Sequence, residues 1–371
     1  MKICLPCPGL DHIQRGFESY TRELFEALEH EEEVHLVKST GTRGRRMHVA
    51  PALKRTSPWL QLLPKKWRSD YRRVQIECWT FALSMLPLLF RERFQLIHFS
   101  EVPLGDALMW LRRFFRFRFR LLLSNGAPWE PWDCARFEFI HQVSPAHHAA
   151  CLAHGVPAAR QYLVPYGFNS MLYAKPGNFD KASARKRLGI PEDAFVVLSL
   201  AALNMSHKRI DWLIREFAET GREIGGYLLL VGNDESETPT LRKIAGEMLE
   251  DGRWRMASVP SDQVPELLWA SDVMVQCSLD EGFGRTLVEA MLATTPLLVH
   301  PHPTASYLVD SPDSFVDLTV PGKLSRALQD LAGDPAKASR LCERNLAKAG
   351  GFIWENLRRS YREMYRQVLA K

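Results

Sequence analysis

Asp272-Val-Met-Val-Gln-Cys-Ser-Leu-Asp-Glu-Gly-Phe-Gly-Arg-Thr-Leu-Val-Glu-Ala-Met291 is the stretch from which the rest of the chain can be read. Its apolar start, Asp272–Gln276, has the look of a buried strand, and its end has helical character. Between them Gly282 and Gly284 form a loop whose backbone can approach a ligand without Cβ obstruction. A helix that starts near Arg285 turns its free N–H groups and its dipole toward that loop, an arrangement that favours a pyrophosphate. Glu281 falls on the loop and Glu289 about one turn into the helix, so two carboxylates can accept hydrogen bonds from hydroxyls. The next apolar run, Pro296–Val299, reads as another strand, and this context separates the stretch from a chance glycine turn.

Working outward, the same alternation recurs. Phe195–Ala201, Tyr227–Val231, Trp254–Val259 and Leu297–His300 read as strands, with helical patterns such as Ile210–Phe217 between them. In the first half, Lys2–Pro6, Val34–Val37, Leu96–Phe99, Phe119–Leu123 and Phe139–Val143 read as strands. Gly16 opens a helix whose Tyr20, Leu24, Phe25 and Leu28 share a face. Ser144-Pro145 is a helix start, with serine as the cap and proline at the first helical position. Pro and Gly in 175–180 suggest a linker. The fold class expected is α/β, two Rossmann-like doubly wound domains facing a cleft. The expected boundaries are an N-terminal domain at 1–174 with a basic insertion at 40–94, a C-terminal domain at 175–352 and a terminal helix at 353–371, docked back on the N-terminal domain.

Length and composition fit that plan. The 371 residues suffice for two cores, and 46% apolar with 25% charged residues are ordinary globular values. The first ten residues lack the apolar core of a secretory signal. The most hydrophobic later run, 78–90, is too short for a span and is interrupted by Pro87. Seven scattered cysteines fit no closed disulfide framework, and Cys4-x-x-Cys7 lies among prolines at a strand end rather than opening a helix. The expected location is therefore cytoplasmic. The net charge of +5 is concentrated. Between Lys38 and Arg73 the basic residues meet one acid, Asp70, and Trp59, Trp67 and Tyr71 lie among them. Arg112, Arg113, Arg116, Arg118 and Arg120 alternate with four phenylalanines. Such basic-aromatic surfaces suit an anionic membrane, at its cytoplasmic face, or a solvated surface. No nucleic-acid motif accompanies them.

Glu281 and Glu289 with the glycine loop resemble the E-x7-E signature of the retaining family 4 glycosyltransferases of GT-B fold. Val164-Pro165-Tyr166-Gly167-Phe168, His207-Lys208-Arg209 and Gly16-Phe17-Glu18 resemble further segments of that family. The resemblance implies a nucleotide-sugar donor site in the C-terminal domain and an acceptor site in the N-terminal one. By that resemblance Glu289 holds the ribose and Glu281 the donor sugar. Backbone N–H groups of Gly282, Phe283, Gly284, Arg285, Thr286 and Leu287 hold sugar and diphosphate, with Gly16 facing the donor. Lys208 neutralises the diphosphate, and two cations at a helix start, Lys208 and Arg209, themselves invite an anion.

Two departures stand out. The arginine the family places about five residues before its lysine is absent here, where Leu203-Asn204 stand, so either Arg209 substitutes or one phosphate contact is lost. Where the family often has histidine after the strand corresponding to Phe119–Leu123, the chain has Ser124-Asn125-Gly126. Asn125 can hydrogen-bond but cannot serve as a base, a change that a front-face path through the leaving phosphate tolerates. No Asp-x-Asp occurs, and His300-x-His302 lacks neighbouring ligands in sequence, so no metal or other cofactor is expected. The reading is a metal-independent transfer of a hexose-type sugar to a glycan or lipid-linked acceptor. The alternatives are a sugar-nucleotide epimerase and a non-catalytic nucleotide-sugar-binding protein.

Overall fold

The computed structural model describes residues 1–371 except 14, 63, 65–68 and 128. Lys65, Lys66, Trp67 and Arg68 of the basic stretch therefore lie outside the described residues. Two compact units emerge, Met1–Gly167 with Trp354–Lys371, and Phe168–Ile353.

The first unit carries β1 (Lys2–Cys7), β2 (Glu33–Lys38), β3 (Met47–Val49), β4 (Leu96–Phe99), β5 (Arg120–Asn125), β6 (Phe139–Gln142) and β7 (Gln161–Leu163). They form one parallel sheet in the order β3-β2-β1-β4-β5-β6-β7. Helices cover a parallel sheet on both faces, and for that reason its strands are apolar almost throughout rather than alternating. Ile3, Leu36, Ile97, Leu122 and Ile140 are each fully buried. Residues 40–94, expected as an insertion, are integral to this unit. β3 pairs with β2, and Cys78, Phe81 and Ala82 of the helix Asp70–Ser84 join the core beside Leu108 and Leu111. The short strands β3 and β7 carry too few residues to show a period.

The second unit carries β8 (Phe195–Leu200), β9 (Gly226–Val231), β10 (Trp254–Ala257), β11 (Val273–Gln276) and β12 (Leu297–Val299), in the parallel order β10-β9-β8-β11-β12. In both sheets the strand order reverses beside the first strand, between β1 and β4 and between β8 and β11. Ligands of doubly wound sheets bind at the carboxyl ends of the strands at such reversals.

Capping explains where several helices start. Ser144 accepts from the His147 N–H with Pro145 in the first turn, Asp180 accepts from Ala182 and Asp334 from Lys337. The last helix, Trp354–Ala370, buries the stripe Trp354, Leu357, Tyr361, Met364, Tyr365 and Val368 within the first unit. Tyr361 donates to the Pro165 carbonyl at 3.0 Å, and the Tyr365 hydroxyl lies 3.0 Å from His98 Nδ1.

Candidate functional site

In the second unit the loops after β8 and β11 bring together residues that are seventy positions apart in sequence. After β11 the chain turns through Gly282-Phe283-Gly284 into the helix Arg285–Leu292. Gly284 caps that helix at φ +78°, a left-handed conformation that costs an L side chain roughly 1–2 kcal/mol. After β8 the chain forms a tight loop held by Asn204. Its Oδ1 accepts from the His207 and Lys208 N–H groups at 3.2 and 2.7 Å, and its Nδ2 donates to Glu235 at 2.8 Å. Glu237 accepts from the Met205 and Ser206 N–H groups at 2.7 and 3.1 Å.

These two loops meet at the Lys208–Glu281 ion pair, in which the ammonium donates to Glu281 Oε1. Glu281 is 6% exposed. Burial pushes its carboxyl upward, but the Lys208 ammonium outweighs this and holds it below the usual carboxylate range. Before any ligand is bound, then, the groups assigned to sugar hydroxyls and to diphosphate neutralise one another. Glu289 is also buried, and its Oε1 lies 3.6 Å from Arg285 Nε.

Two groups expected at the ligand, the Arg209 guanidinium and the Leu287 N–H, have partners within the protein. Arg209, expected to replace the absent arginine, sits at φ +52°, and its guanidinium is engaged by backbone carbonyls, with Nη1 3.5 Å from that of Cys277. Its Nη1 donates to the Leu318 carbonyl at 2.9 Å, and its charge lies 4.5 Å over the Trp212 ring. Arg285 is buried with its guanidinium 4.3 Å over the Phe168 ring, leaving its backbone as the part directed at the loop. The Leu287 N–H is spent on the Gly284 carbonyl at 3.0 Å. Thr286 Oγ1 accepts from the Gln276 carboxamide at 3.2 Å and so ties the helix to β11.

In the first unit Gly16 is exposed at the start of the helix Gly16–Leu28, after β1. Asn125 ends β5 as expected but is only 1% exposed, and its Nδ2 donates to Gln142 Oε1 at 2.9 Å. Gln142 in turn donates to Gln161 at 2.7 Å, so the Asn125 carboxamide belongs to an internal ladder. Sequence reasoning missed the polar cluster nearby, at the β1/β4 reversal. Arg15 donates to Glu18 at 2.6 Å and to Glu101 at 3.1 Å, and Arg55 donates to Glu101 at 2.8 Å and to Glu77. His12 Nε2 lies 2.7 Å from Glu77. Burial pushes the Glu18 carboxyl up to about 7 against the pull of Arg15, and its Oε2 is buried without a partner. Glu18 also fills the space beside Gly9, where an added Cβ would meet its Oε1 at 2.4 Å. Because its members come from separate segments of the chain, no linear spacing announces this cluster.

Of the basic stretch, Lys38 is buried against Asp11 at 2.5 Å, Arg55 belongs to the cluster above, and Arg46 donates to the Glu29 and Glu32 carbonyls. Arg43, Arg45 and Arg72 are exposed, with Trp59 and Tyr71. Among the described residues no helix is long and apolar enough to cross a membrane.

Residues 180–347 match the family of glycosyl transferases group 1. Among curated relatives, D-inositol 3-phosphate glycosyltransferase of Acidothermus cellulolyticus is 28% identical over 230 residues, covering 59% of this chain and 50% of the relative. N-acetyl-alpha-D-glucosaminyl L-malate synthase of Bacillus anthracis is 29% identical over 119 residues, 32% of this chain and 30% of that protein. The chain spans about half the length of the curated relatives it matches. Solved structures align along almost the whole chain. Sucrose-phosphate synthase of Thermosynechococcus elongatus has a TM-score of 0.81 at 21% identity, covering 100% of this chain and 99% of that one. Anabaena HepE in complex with UDP-glucose has a TM-score of 0.76 at 19% identity and 99% coverage of both. The resemblance first read from the E-x7-E stretch is met by the group 1 glycosyl transferase match over residues 180–347, and the chain shares the GT-B fold of these solved structures.

Proposed function

We propose that this chain transfers a hexose-type sugar from a nucleoside diphosphate donor to a hydroxylated acceptor, a glycan or a lipid-linked glycan, with retention of anomeric configuration. The observation that carries the proposal is the Lys208–Glu281 pair at the β8/β11 reversal, one loop away from the helix start at Gly284. A donor's diphosphate competes with Glu281 for Lys208, while its sugar hydroxyls take over the freed carboxylate. As the nucleoside diphosphate departs, negative charge grows beside Lys208 and the first turn of the helix, which are already in place to stabilise it. Lys208 supplies the charge a metal would otherwise bring, so activity is expected to survive EDTA. The acceptor hydroxyl loses its proton to the leaving phosphate, a front-face path that does not require Asn125 to be a base.

In the first unit the Arg15–Glu18–Glu101 cluster is assigned to the acceptor, because its buried carboxylates and guanidinium groups match hydroxyls as acceptors and donors. The exposed Trp59 and Tyr71, with Arg43, Arg45 and Arg72, are assigned to an anionic membrane surface. Co-sedimentation with anionic vesicles at low salt tests that surface, and no binding would remove it.

Turnover of donor with a panel of sugar and glycolipid acceptors, with and without EDTA, tests the reaction, with NMR reading the product's anomeric configuration. An inverted product would overturn the retaining assignment. Sugar-nucleotide conversion without acceptor would favour an epimerase, and donor binding with no turnover a binding protein.

A further inference from the structure

The loop after β12 ends in His302, which caps the short helix Pro303–Leu308. Its Nδ1 accepts from the Ala305 N–H at 3.3 Å. A ring nitrogen that accepts a backbone N–H carries no proton, so in the neutral ring the proton is on Nε2. Nε2 is buried and has no partner, and the residue as a whole is 3% exposed. A buried donor left unpaired is costly, and such donors in folded proteins call for an explanation. Helix capping accounts for only half of this ring: serine or threonine would cap as well with a single polar atom.

The ring is part of the surroundings of the Lys208–Glu281 pair. Its neighbour Thr304 donates from Oγ1 to the Glu281 carbonyl at 3.0 Å, fastening this loop to the one after β11. Nδ1 lies 3.8 Å from Asp280 Oδ1. The charges that act on the ring are those of Glu281, Asp280, His300 and Lys208, and burial holds it in the neutral form.

We infer that His302 is a donor-sugar specificity residue, whose Nε2–H donates to a sugar hydroxyl oxygen that itself donates to a carboxylate of the Asp280-Glu281 pair. A hydroxyl is the group that fits, since it accepts from the imidazole and donates to a carboxylate at once. A phosphate oxygen has no proton to give and would meet the two acids with like charge. The inference rests on the proposed donor site and adds to it a residue that reads the sugar rather than the nucleotide.

Two variants separate this role from capping. His302→Ser keeps a capping oxygen and removes Nε2, whereas His302→Ala removes both. Calorimetry would give dissociation constants for UDP with UDP-glucose, GDP with GDP-mannose and ADP with ADP-glucose. It would then be repeated with monodeoxy analogues of whichever sugar binds. In the wild type one monodeoxy analogue is expected to bind at least about tenfold more weakly than its parent, since it loses both hydrogen bonds of that hydroxyl. In His302→Ser the parent sugar nucleotide weakens by about tenfold, the scale of the one hydrogen bond removed, the deoxy analogue is not weakened further, and the free diphosphate is unaffected. Equal weakening of diphosphate and sugar nucleotide, or no change in either, would overturn the inference while leaving the donor site standing. A wild type that binds none of the three pairs would overturn the donor site and the inference with it.

Discussion

Replacing Lys208 by methionine should destabilise the ligand-free protein more than replacing its partner Glu281 by glutamine. The reason lies in what each change leaves behind. The Lys208 side chain is 17% exposed and that of Glu281 8%. In Glu281→Gln the ammonium loses its partner but sits at the end of a flexible stem and can reach water. In Lys208→Met a carboxylate stays buried without its cation. Breaking a buried pair in that way costs about 3–5 kcal/mol, and the partial exposure of Lys208 lowers the expectation to about 2–3 kcal/mol. Glu281→Gln should cost about 1 kcal/mol, and the double variant about the same, because the methionine then faces no charge. At about 2–4 °C per kcal/mol for a unit the size of Phe168–Ile353, Lys208→Met should melt roughly 5–10 °C below the wild type. Scanning calorimetry reads this, and hydrogen exchange in β8 and β11 confines the readout to this unit. The deficit should also depend on pH. In the wild type Lys208 holds the Glu281 carboxyl below its usual value, so that stabilisation is present above about 4.5 and is lost as pH falls through the lower folded value. Without Lys208 burial outweighs the remaining pull of Ser278 and His207 and raises the folded value, so the deficit should be full at pH 7.5 and shrink toward pH 5. Strictly additive costs in the double variant, or a deficit independent of pH, would refute this reasoning.

Further outcomes follow from neighbouring contacts. Glu281→Ala should lower turnover by about a hundredfold or more, the scale of losing a preorganised contact in the transition state, as read by steady-state kinetics. Arg185 is 5% exposed and donates to the Ala270, Glu192 and Ala194 carbonyls as well as to Asp272, so Arg185→Ala should cost about 3–5 kcal/mol in denaturant unfolding; a change under 1 kcal/mol would contradict its role. Burial lowers His141 to about 4 and places His98 well below its usual value. Because the unfolded chain takes up these protons first, stability should be full above about 6.5 and fall as pH drops from there toward 4. His141→Gln should flatten that acid limb, and an unchanged pH profile would show that the loss comes from elsewhere.

The glycine loop after β11 was legible because its chemistry is contiguous: strand, two glycines, helix and two acids lie within twenty residues and share one local geometry. The parallel α/β class of both units followed from the alternation of apolar runs and helical patterns. Residues 40–94 were read as an insertion because a basic, turn-rich start hides a three-residue edge strand, β3, and a helix whose buried face is built from Cys78, Phe81 and Ala82. Arg209 looked free for phosphate because sequence gives its position but not its direction; the Leu318 carbonyl that takes its guanidinium comes from more than a hundred residues away. Asn125 was placed at the correct strand end, yet its burial depends on Gln142 and Gln161, which no spacing links to it. His302 was weighed only as a metal ligand, since nothing in His-Pro-His reveals that one ring nitrogen caps a helix while the other is left without a partner.

The most direct test is the thermal stability of the wild type and of Glu289→Ala against UDP, GDP, ADP and their sugars. A nucleotide at about a hundred times its dissociation constant should stabilise the wild type by about 2.7 kcal/mol. One diphosphate series is predicted to do so, and to lose about 1–3 kcal/mol of binding free energy in Glu289→Ala, where a ribose hydroxyl loses its carboxylate. No stabilisation by any nucleotide, or an equal shift in both proteins, would contradict a nucleotide-sugar site on the helix Arg285–Leu292.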